Sequence, residues 1–442
     1  MPGNNRLDQI DHIVVLMQEN RSFDHMLGFL YPDKRTPSGK PFEGLKGDES
    51  VPWNNGRVGV FPIDASAPDA YFMPGADPGE GYKATNNQLF GTLTPPTPAP
   101  VPAMDGFVAD FADAIRFDTQ RGDKIYPGTK PENIMGCFTP EALPVLSGLA
   151  RGYAVCDQWY SSVPTETLPN RAFALAATSR GRMDDKHQKG VPPFPYPSIF
   201  GLLDHAKPPV DWAIYSCHQQ LTRLDFPDTV GADPRHFGSF DDFKAAAANG
   251  TLPRGFVFLE PDWRPTGNDQ HPNYDVANGD ALMRDVYSAL RGGPHWDRTL
   301  LVITYDEHGG CYDHVPPPSG AVPPDDVASP TGFDFTRFGV RVPTVLVSPL
   351  IEAGTVFRAG GGTPLDHTSV LKTVEQRWQL GPLTRRDAAA PGVGDVLTLD
   401  APRTDDPLEG VAAPVSSGNN PAAGTTSHLQ AVCEALAAPA GT

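Results

Sequence analysis

Cysteine, basic side chains and long apolar runs are all scarce in this chain of 442 residues. The five cysteines are scattered and none forms a Cys-x-x-Cys pair, which argues against a disulfide framework and against a thiolate zinc cluster. No run of about 18 apolar residues occurs, so the sequence predicts no integral membrane segment. There are 35 lysines and arginines against 53 aspartates and glutamates, and the net charge of −18 disfavours nucleic acid as a partner.

Aromatic side chains are missing from residues 381–442, which are rich in Ala, Pro, Gly, Ser and Thr. We predict that this C-terminal extension packs on the surface or is partly disordered, with one short helix near residues 428–437. A secretory signal pattern is also missing from the N-terminus. We therefore expect a cytoplasmic protein, or a secreted or periplasmic one if a signal has been removed.

Short apolar runs rich in β-branched residues alternate with helical patterns, which favours an α/β domain around a mainly parallel sheet. The runs interpreted as buried strands are residues 11–17, 212–215, 255–259, 299–305 and 342–347. The helical patterns cover residues 276–291 and 369–380. We predict a catalytic domain over residues 1–380, with a loop-rich insertion at about 34–103.

Six polar side chains occur among the seven residues 19–25 (ENRSFDH), directly after the first predicted strand. In open α/β sheets, ligands bind beyond the carboxyl ends of strands. Glu19 and Asn20 offer the oxygen ligands that Mg²⁺, Ca²⁺ and Mn²⁺ prefer. The alternative interpretation is a polar loop in which Ser22 or Asp24 caps a helix.

A second polar cluster, residues 304–314 (TYDEHGGCYDH), follows the strongest predicted strand. Asp306 and Glu307 are adjacent carboxylates, and burying both without a cation is unfavourable because like charges repel. Two histidines and a third carboxylate follow within seven residues, so a metal site is the economical interpretation. The alternative is a solvated turn around the two glycines.

A third candidate is Thr167, which precedes an Ala-rich helical stretch. Pro169 suits the first turn of that helix and puts Thr167 at or just before its N-cap. A helix N-terminus can hold a phosphate, and a threonine hydroxyl there could act as the nucleophile. An ordinary threonine cap is the alternative.

His271 is the fourth candidate, in a predicted loop between a strand and a long helix. Carboxylates lie close to it in the sequence, so it could serve as a general acid or base. A surface histidine near an acidic helix start is the alternative.

The three motifs ENRSFDH, TxPNR (residues 167–171) and DEHGGxxDHV (residues 306–315) occur here in that order. Together they resemble the bacterial and plant phosphoesterases, a family with non-specific and phosphatidylcholine-preferring phospholipases C and a group of acid phosphatases. The resemblance covers roughly residues 8–380, and the stretch YDEHGGCYDHVPPP is especially similar to the plant enzymes. It implies an alkaline-phosphatase-like three-layer sandwich with a central, mainly parallel sheet.

The resemblance also implies a metal centre. Glu19 and Asn20 match one pair of metal ligands in the family, and Asp306 and Glu307 match the second pair. We expect one divalent cation, with Ca²⁺, Mg²⁺ or Mn²⁺ favoured by the oxygen ligands and Zn²⁺ as a further possibility.

Catalytic and pocket roles are implied in the same way. Thr167 matches the family nucleophile, and His271 looks like the histidine that contacts the phosphoryl group or the leaving oxygen. Candidate pocket residues are Asn170, Arg171, His218, Glu80 and His308.

The segment Asp77-Pro78-Gly79-Glu80 departs from the family pattern, because many relatives have a histidine at the position of Glu80. An acid therefore replaces a phosphate-contacting imidazole, which could shift the pH optimum or the preferred substrate. It also weakens the comparison with the acid phosphatases.

The first expectation for function is thus a metal-dependent phospholipase C that forms diacylglycerol through a phosphothreonine intermediate, with a phospholipid or small phosphoester as substrate. The alternative is a phosphomonoesterase of the acid-phosphatase type. A non-catalytic protein that binds metal or phosphate ranks below both, because every candidate ligand and the nucleophile are present.

Overall fold

The computed structural model describes residues 6–31, 36–37, 39–66, 70–416 and 419–439. Parts of the predicted insertion (34–103) and of the predicted extension (381–442) lie outside these residues. Its strands are β1 (His12–Gln18), β2 (Ser50–Trp53), β3 (Gly56–Gly59), β4 (Phe61–Ile63), β5 (Gly136–Phe138), β6 (Ala154–Val155), β7 (Trp159–Tyr160), β8 (Asp211–Ser216), β9 (Phe237–Ser239), β10 (Gly255–Glu260), β11 (Thr299–Tyr305), β12 (Thr344–Val347), β13 (Thr355–Val356) and β14 (Leu365–Asp366).

The α-helices are α1 (Phe23–Leu27), α2 (Tyr82–Phe90), α3 (Phe107–Arg121), α4 (Pro144–Gly152), α5 (Thr167–Ala176), α6 (Ile199–His205), α7 (Leu221–Asp225), α8 (Pro227–Val230), α9 (Phe240–Asn249), α10 (Val276–Arg291), α11 (Thr368–Trp378), α12 (Arg385–Ala389) and α13 (His428–Ala437). Short 3₁₀ turns occur at Arg6–Gln9, Ala70–Phe72, Pro131–Met135, Pro234–His236, Trp296–Arg298, Gly360–Gly362 and Gly394–Val396. None of the described helices is long and apolar enough to cross a bilayer.

Eight strands form the main sheet in the order β13-β6-β12-β11-β1-β10-β8-β9. β1 lies in the middle and pairs in parallel with both β10 and β11. β12 is antiparallel to both of its neighbours, whereas the other described pairs of this sheet are parallel. The sheet is therefore mainly parallel, as predicted.

The central strands are covered on both faces. Every residue of β1, β10, β11 and β12 is buried, although successive side chains point to opposite faces. A parallel sheet with two buried faces needs helices on both sides. Helices α4, α9 and α10 pack together in one group, and α5, α6 and α11 pack in another. The predicted three-layer α/β class is confirmed.

Element ends differ from the predictions by one or two residues for local reasons. Strand β12 begins at Thr344 rather than at residue 342, because Pro343 has no N–H to donate to a neighbouring strand. Helix α11 ends at Trp378 because the next residue, Gln379, has φ +55°. Helices α10 and α13 cover the predicted ranges.

The end of the chain contributes to the main apolar core. Val396, Leu408, Leu429 and Leu436 are all buried in the same cluster as the sheet residues. The described part of residues 381–442 is thus packed on the domain.

Candidate active site

Two polar segments meet where β1 and β11 end side by side. The register pairs Gln18 with Tyr305, so the next residues of both strands leave the sheet at the same edge. The Asp306 carboxylate accepts the backbone N–H of Asn20 at 3.0 Å and that of Glu307 at 2.8 Å. The two motifs predicted to supply metal ligands therefore contact each other.

Asn20 links the end of β1 to helix α5 and to Glu80 through its side chain. It has φ +56°, a left-handed conformation that asparagine tolerates better than most residues. Its Oδ1 accepts a hydrogen bond from the Thr167 hydroxyl at 3.2 Å. Its Nδ2 donates a short hydrogen bond to Glu80. One amide thus orients the predicted nucleophile and the residue that departs from the family motif.

Thr167 is the first residue of helix α5, and Glu166 is its N-cap. The sequence had predicted Thr167 at or just before the cap, so that prediction is wrong by one position. Thr167 is buried at 1% exposure. Asn170 fixes the preceding turn, because its amide exchanges hydrogen bonds with the backbone of Val163 and also donates to the carbonyl of Thr165. The side chain of Asn170 is engaged by this loop.

Arg171 is a buried cation beneath the site. Its Nε donates to Asp306 Oδ2 at 3.0 Å, and its guanidinium lies 4.5 Å from the ring centre of Trp263. A further nitrogen, Nη1, has no hydrogen-bond partner among the described residues. Arg171 therefore neutralises part of the negative charge at the strand ends.

Four buried carboxylates lie around the ends of β1 and β11: Glu19, Asp269, Asp306 and Glu307. Burial, together with repulsion from Asp269 and Asp306, raises the pKa of Glu19 well above its usual value. Burial and the neighbouring Asp306 do the same for Glu307. One oxygen each of Glu307 and Asp269 is buried without a hydrogen-bond partner in the described structure. Such a donor set fits a divalent cation, which would relieve the repulsion and satisfy free oxygens.

A second cluster of possible metal ligands lies on the side of the site that faces the cavity. One ligand atom each of Asp77, Glu80 and His271 fall within 4.8 Å of one another, a spacing that could hold a metal ion. The described residues include one other such group, Asp24, Asp313 and His314. The carboxylates of the predicted metal site (Glu19, Asp306 and Glu307) do not form such a group in this conformation, in which Asp306 binds Arg171.

The imidazole of His271 has a defined orientation. Its Nδ1 is 2.9 Å from the carbonyl of Pro272, so Nδ1 is the protonated nitrogen and donates to that oxygen. Nε2 lies 3.8 Å from Asp77 and 3.9 Å from Glu80. Burial lowers the pKa of His271 to about 4. The neutral ring therefore presents a lone pair, suited to accepting a proton, towards the carboxylates.

His308 lies beside Glu307, one of the predicted metal ligands. Its Nδ1 is 3.1 Å from Glu307 Oε2, and its Nε2 is 2.7 Å from Gln88 Oε1. Burial lowers its pKa to about 3. A neutral imidazole has one N–H, which Nε2 donates to Gln88 Oε1, so the contact of Nδ1 with Glu307 Oε2 is a hydrogen bond only when that carboxyl is protonated.

A cavity of about 1010 Å³ opens beside these residues. Glu80, Glu166, His271 and Tyr274 line it. His218, in contrast, is exposed after β8 and is not among the residues that line this cavity. The structure brings together the predicted residues of the three motifs, Glu80 and His271, and leaves His218 apart.

The second half of each polar motif has a structural role. Ser22 caps helix α1 by accepting the N–H of His25, as the alternative interpretation had suggested. Asp24 and Asp313 share the buried guanidinium of Arg341 at 2.9 and 3.0 Å. The motifs thus carry both site residues and a structural ion network.

Sequence reasoning missed several residues around the site. Asp269 and His367 are buried next to the predicted metal ligands. His367 Nε2 donates to the carbonyl of Asp306 at 2.6 Å. Asp185 accepts the N–H of Leu168 at 2.8 Å. His428, from the end of the chain, lines the cavity. Only Asp269 could have been noticed from the sequence, since it lies two positions before His271; the others belong to no motif that points to the site.

Comparison with known proteins identifies the family. The sequence profile of the Phosphoesterase family matches residues 10–381. The chain belongs to the Phosphoesterase family. The predicted family is therefore confirmed, and with it the expectation that this phosphoesterase is an enzyme that hydrolyses phosphoesters.

Curated relatives of this phosphoesterase come from plants and bacteria. Non-specific phospholipase C1 of Arabidopsis thaliana is 38% identical over 417 residues, covering 90% of this chain and 73% of that protein. Non-specific phospholipase C6 of the same plant is 37% identical over 417 residues, covering 90% and 74%. Phospholipase C A of Mycobacterium tuberculosis H37Rv is 28% identical over 441 residues, covering 90% and 78%.

A solved structure from the alkaline phosphatase superfamily, from Vibrio parahaemolyticus, aligns with a TM-score of 0.34 and 14% identity. The alignment covers 56% of this chain and 64% of that one. At this level of similarity the superposition adds nothing to the assignment.

Proposed function

We propose that this phosphoesterase is a phospholipase C, which cleaves a phosphodiester between the glycerol oxygen and phosphorus. The observation that carries the proposal is the contact between Thr167 and Asn20 at the N-terminus of α5, directly beside four buried carboxylates. A hydroxyl, a helix N-terminus and a cation-binding donor set within one site suit attack on phosphorus. The names of the relatives support a phospholipid substrate.

The cation would be held by Glu19, Asn20, Asp306 and Glu307, where Ca²⁺, Mg²⁺ or Mn²⁺ suits the oxygen ligands and Zn²⁺ also accepts carboxylates. When bound, such an ion neutralises charge that develops on the phosphoryl oxygens. Arg171 would then retain the outer oxygen of Asp306 and keep that carboxylate oriented.

The remaining steps belong to side chains of this chain. The Thr167 oxygen attacks phosphorus opposite the leaving alcohol, and Asn20 orients the hydroxyl. His271 Nε2 takes the hydroxyl proton and passes it to the leaving oxygen, with Asp77 and Glu80 stabilising the imidazolium. Water then attacks the phosphothreonine, gives its proton to Nε2, and Thr167 recovers a proton as its bond to phosphorus breaks.

The charge of the cavity favours diesters over monoesters. Seven carboxylates line it, namely Asp77, Glu80, Asp110, Asp113, Asp118, Asp123 and Glu166, against three arginine and lysine side chains, Arg116, Arg121 and Lys124, and the two histidines His271 and His428. A phosphodiester carries one negative charge, whereas a monoester carries close to two at neutral pH. The second charge of a monoester is therefore disfavoured here, and a cationic headgroup is favoured.

Replacing Thr167 by Val tests the nucleophile. We expect Thr167→Val to lower release of p-nitrophenol from p-nitrophenylphosphorylcholine by at least about 10³-fold, because the attacking oxygen is gone. Thr167→Ser should keep measurable activity. Thr165→Val is the matched control, since it removes a buried hydroxyl two residues away. Undiminished turnover in Thr167→Val would refute the nucleophile assignment.

Elemental analysis tests the metal site separately. We expect Asp306→Asn to lower the divalent cation content per chain after equilibrium dialysis, because a charged ligand becomes a neutral one. The exposed pair of Arg385 and Asp326 offers the control Asp326→Asn, which should leave the content unchanged. If Asp306→Asn binds as much divalent cation per chain as the unsubstituted protein, the proposed metal site is wrong.

A further inference from the structure

Helix α13 brings a histidine into the active-site cavity from beyond residues 10–381, the part that the family profile matches. His428 is the first residue of this helix and lines the cavity together with Glu80, Glu166 and His271. Its imidazole is half-exposed, at 50% of the side chain, towards that space. The end of the chain therefore forms part of the site wall.

The position of α13 is fixed by packing. Leu429, Val432 and Leu436 are buried in the main core. Ser427 caps the helix by accepting the N–H of Gln430, and its hydroxyl donates to the carbonyl of Trp263, the residue stacked on Arg171. His428 is thus held at one place relative to the site.

A chain of contacts leads from His428 to the nucleophile helix. His428 Nε2 lies 3.1 Å from Asp185 Oδ2. The other oxygen of Asp185 accepts the N–H of Leu168 at 2.8 Å, in the first turn of α5. The backbone N–H of Asp185 donates to Glu166, the N-cap, at 2.7 Å. Both flanking residues of Thr167 are therefore bound to Asp185.

We infer that His428 is a positioning residue of the reaction, which holds Asp185 so that Asp185 fixes the first turn of α5 and the oxygen of Thr167. This inference rests on the proposed role of Thr167 as nucleophile. Helix α13 would thus have a function in the active site.

The charges around Asp185 explain why a partner is needed. Asp185 is 5% exposed, and Glu166 is a second carboxylate in contact with it. Among the described residues, His428 is the basic side chain within ion-pair distance of Asp185. Without His428, a buried carboxylate would lack its counter-charge and repel Glu166, so the turn that carries Thr167 would shift. Misplacing a reacting group by about 1 Å can cost about 10²-fold in rate.

The test is the variant His428→Ala, assayed with p-nitrophenylphosphorylcholine. We expect kcat to fall by about 10–100-fold while KM changes less than about twofold, because the loss is one of alignment rather than binding. Added imidazole, which can fill the space and bind Asp185, should restore part of kcat. Glu434→Ala, an exposed change on the same helix, should leave kcat unaltered and show no response to imidazole.

Hydrogen exchange gives a readout independent of turnover. In His428→Ala and in Asp185→Asn, the amide of Leu168 should exchange faster than in the unsubstituted protein. If the unsubstituted protein cleaves no phosphoester, the proposed function fails, and the exchange result still tests the inference. Unchanged kcat and unchanged Leu168 exchange in His428→Ala would overturn it. A loss of kcat that matches a fall in Tm and that imidazole does not restore would overturn it as well.

Discussion

At the scale of single residues, Glu80 lies between two predicted site residues. Its carboxylate accepts a hydrogen bond from Asn20 and lies 3.9 Å from His271. Burial and repulsion from Asp77 and Glu307 raise the pKa of Glu80 well above its usual value. Where the pH exceeds this raised pKa, the negative charge of Glu80 adds to the other negative charges that line the cavity, so we expect it to act against substrates with two negative charges.

Glu80→Gln tests that role. At a pH above the raised pKa of Glu80, we expect KM for p-nitrophenyl phosphate to fall about fivefold, because removing one charge at about 4 Å is worth about 1 kcal/mol in water. KM for p-nitrophenylphosphorylcholine should change less. Asp113→Asn is the control, since Asp113 lines the same cavity but is exposed and paired with Arg116. An equal change for both substrates in Glu80→Gln would contradict the selectivity argument.

At the scale of elements, the ends of β1 and β11 and the loops beside them are held together by Arg341. It is fully buried and binds the carboxylates of Asp24 and Asp313 and the carbonyls of Glu43 and Asp157. Since Asp24 is in α1 and Asp313 follows the predicted metal ligands, the network fixes both polar motifs relative to each other.

Arg341→Met should therefore destabilise the fold. Removing the guanidinium leaves Asp24 and Asp313 buried and unpaired, which costs about 3–5 kcal/mol in free energy of unfolding. Urea denaturation measures the change. Arg385→Met, which breaks the exposed pair with Asp326, should cost less than about 1 kcal/mol. Equal stabilities of the two variants would contradict a structural role for the network.

How far the sequence predicts the molecule differs by element. The long apolar strands β1 and β11 and helix α10 follow from hydrophobic periodicity, and the order of the motifs indicates that Glu19 and Asp306 share an edge. Strands of two residues such as β6 have no periodicity to detect. The pairing of Asp185 with His428 joins residues far apart in the sequence and depends on tertiary packing, so no local pattern indicates it.

At the scale of the whole molecule, the chain has a net charge of −18, and two groups of its carboxylates lie at the site. One group comprises the buried carboxylates at the strand ends, which Arg171 balances only partly. The other group lines the cavity and faces solvent. The first group could bind a cation, and we propose that the second disfavours substrates with two negative charges.

Removing divalent ions should lower the stability of the whole chain. We expect dialysis against a chelator to reduce Tm by about 5 °C, because binding to the folded state alone stabilises it and the buried carboxylates repel one another without the ion. Adding Mn²⁺ should restore Tm in the unsubstituted protein but not in Asp306→Asn. A Tm that responds to neither chelator nor Mn²⁺ would contradict the metal centre.

The stereochemical course at phosphorus tests the proposed reaction most directly. A P-chiral phosphorothioate analogue of the choline phosphodiester, hydrolysed in ¹⁸O-labelled water, yields a chiral choline phosphorothioate whose configuration can be determined by NMR. Attack by Thr167 followed by attack of water inverts phosphorus twice, so the account predicts net retention. Net inversion would show that water attacks the substrate directly, and would contradict Thr167 as the nucleophile.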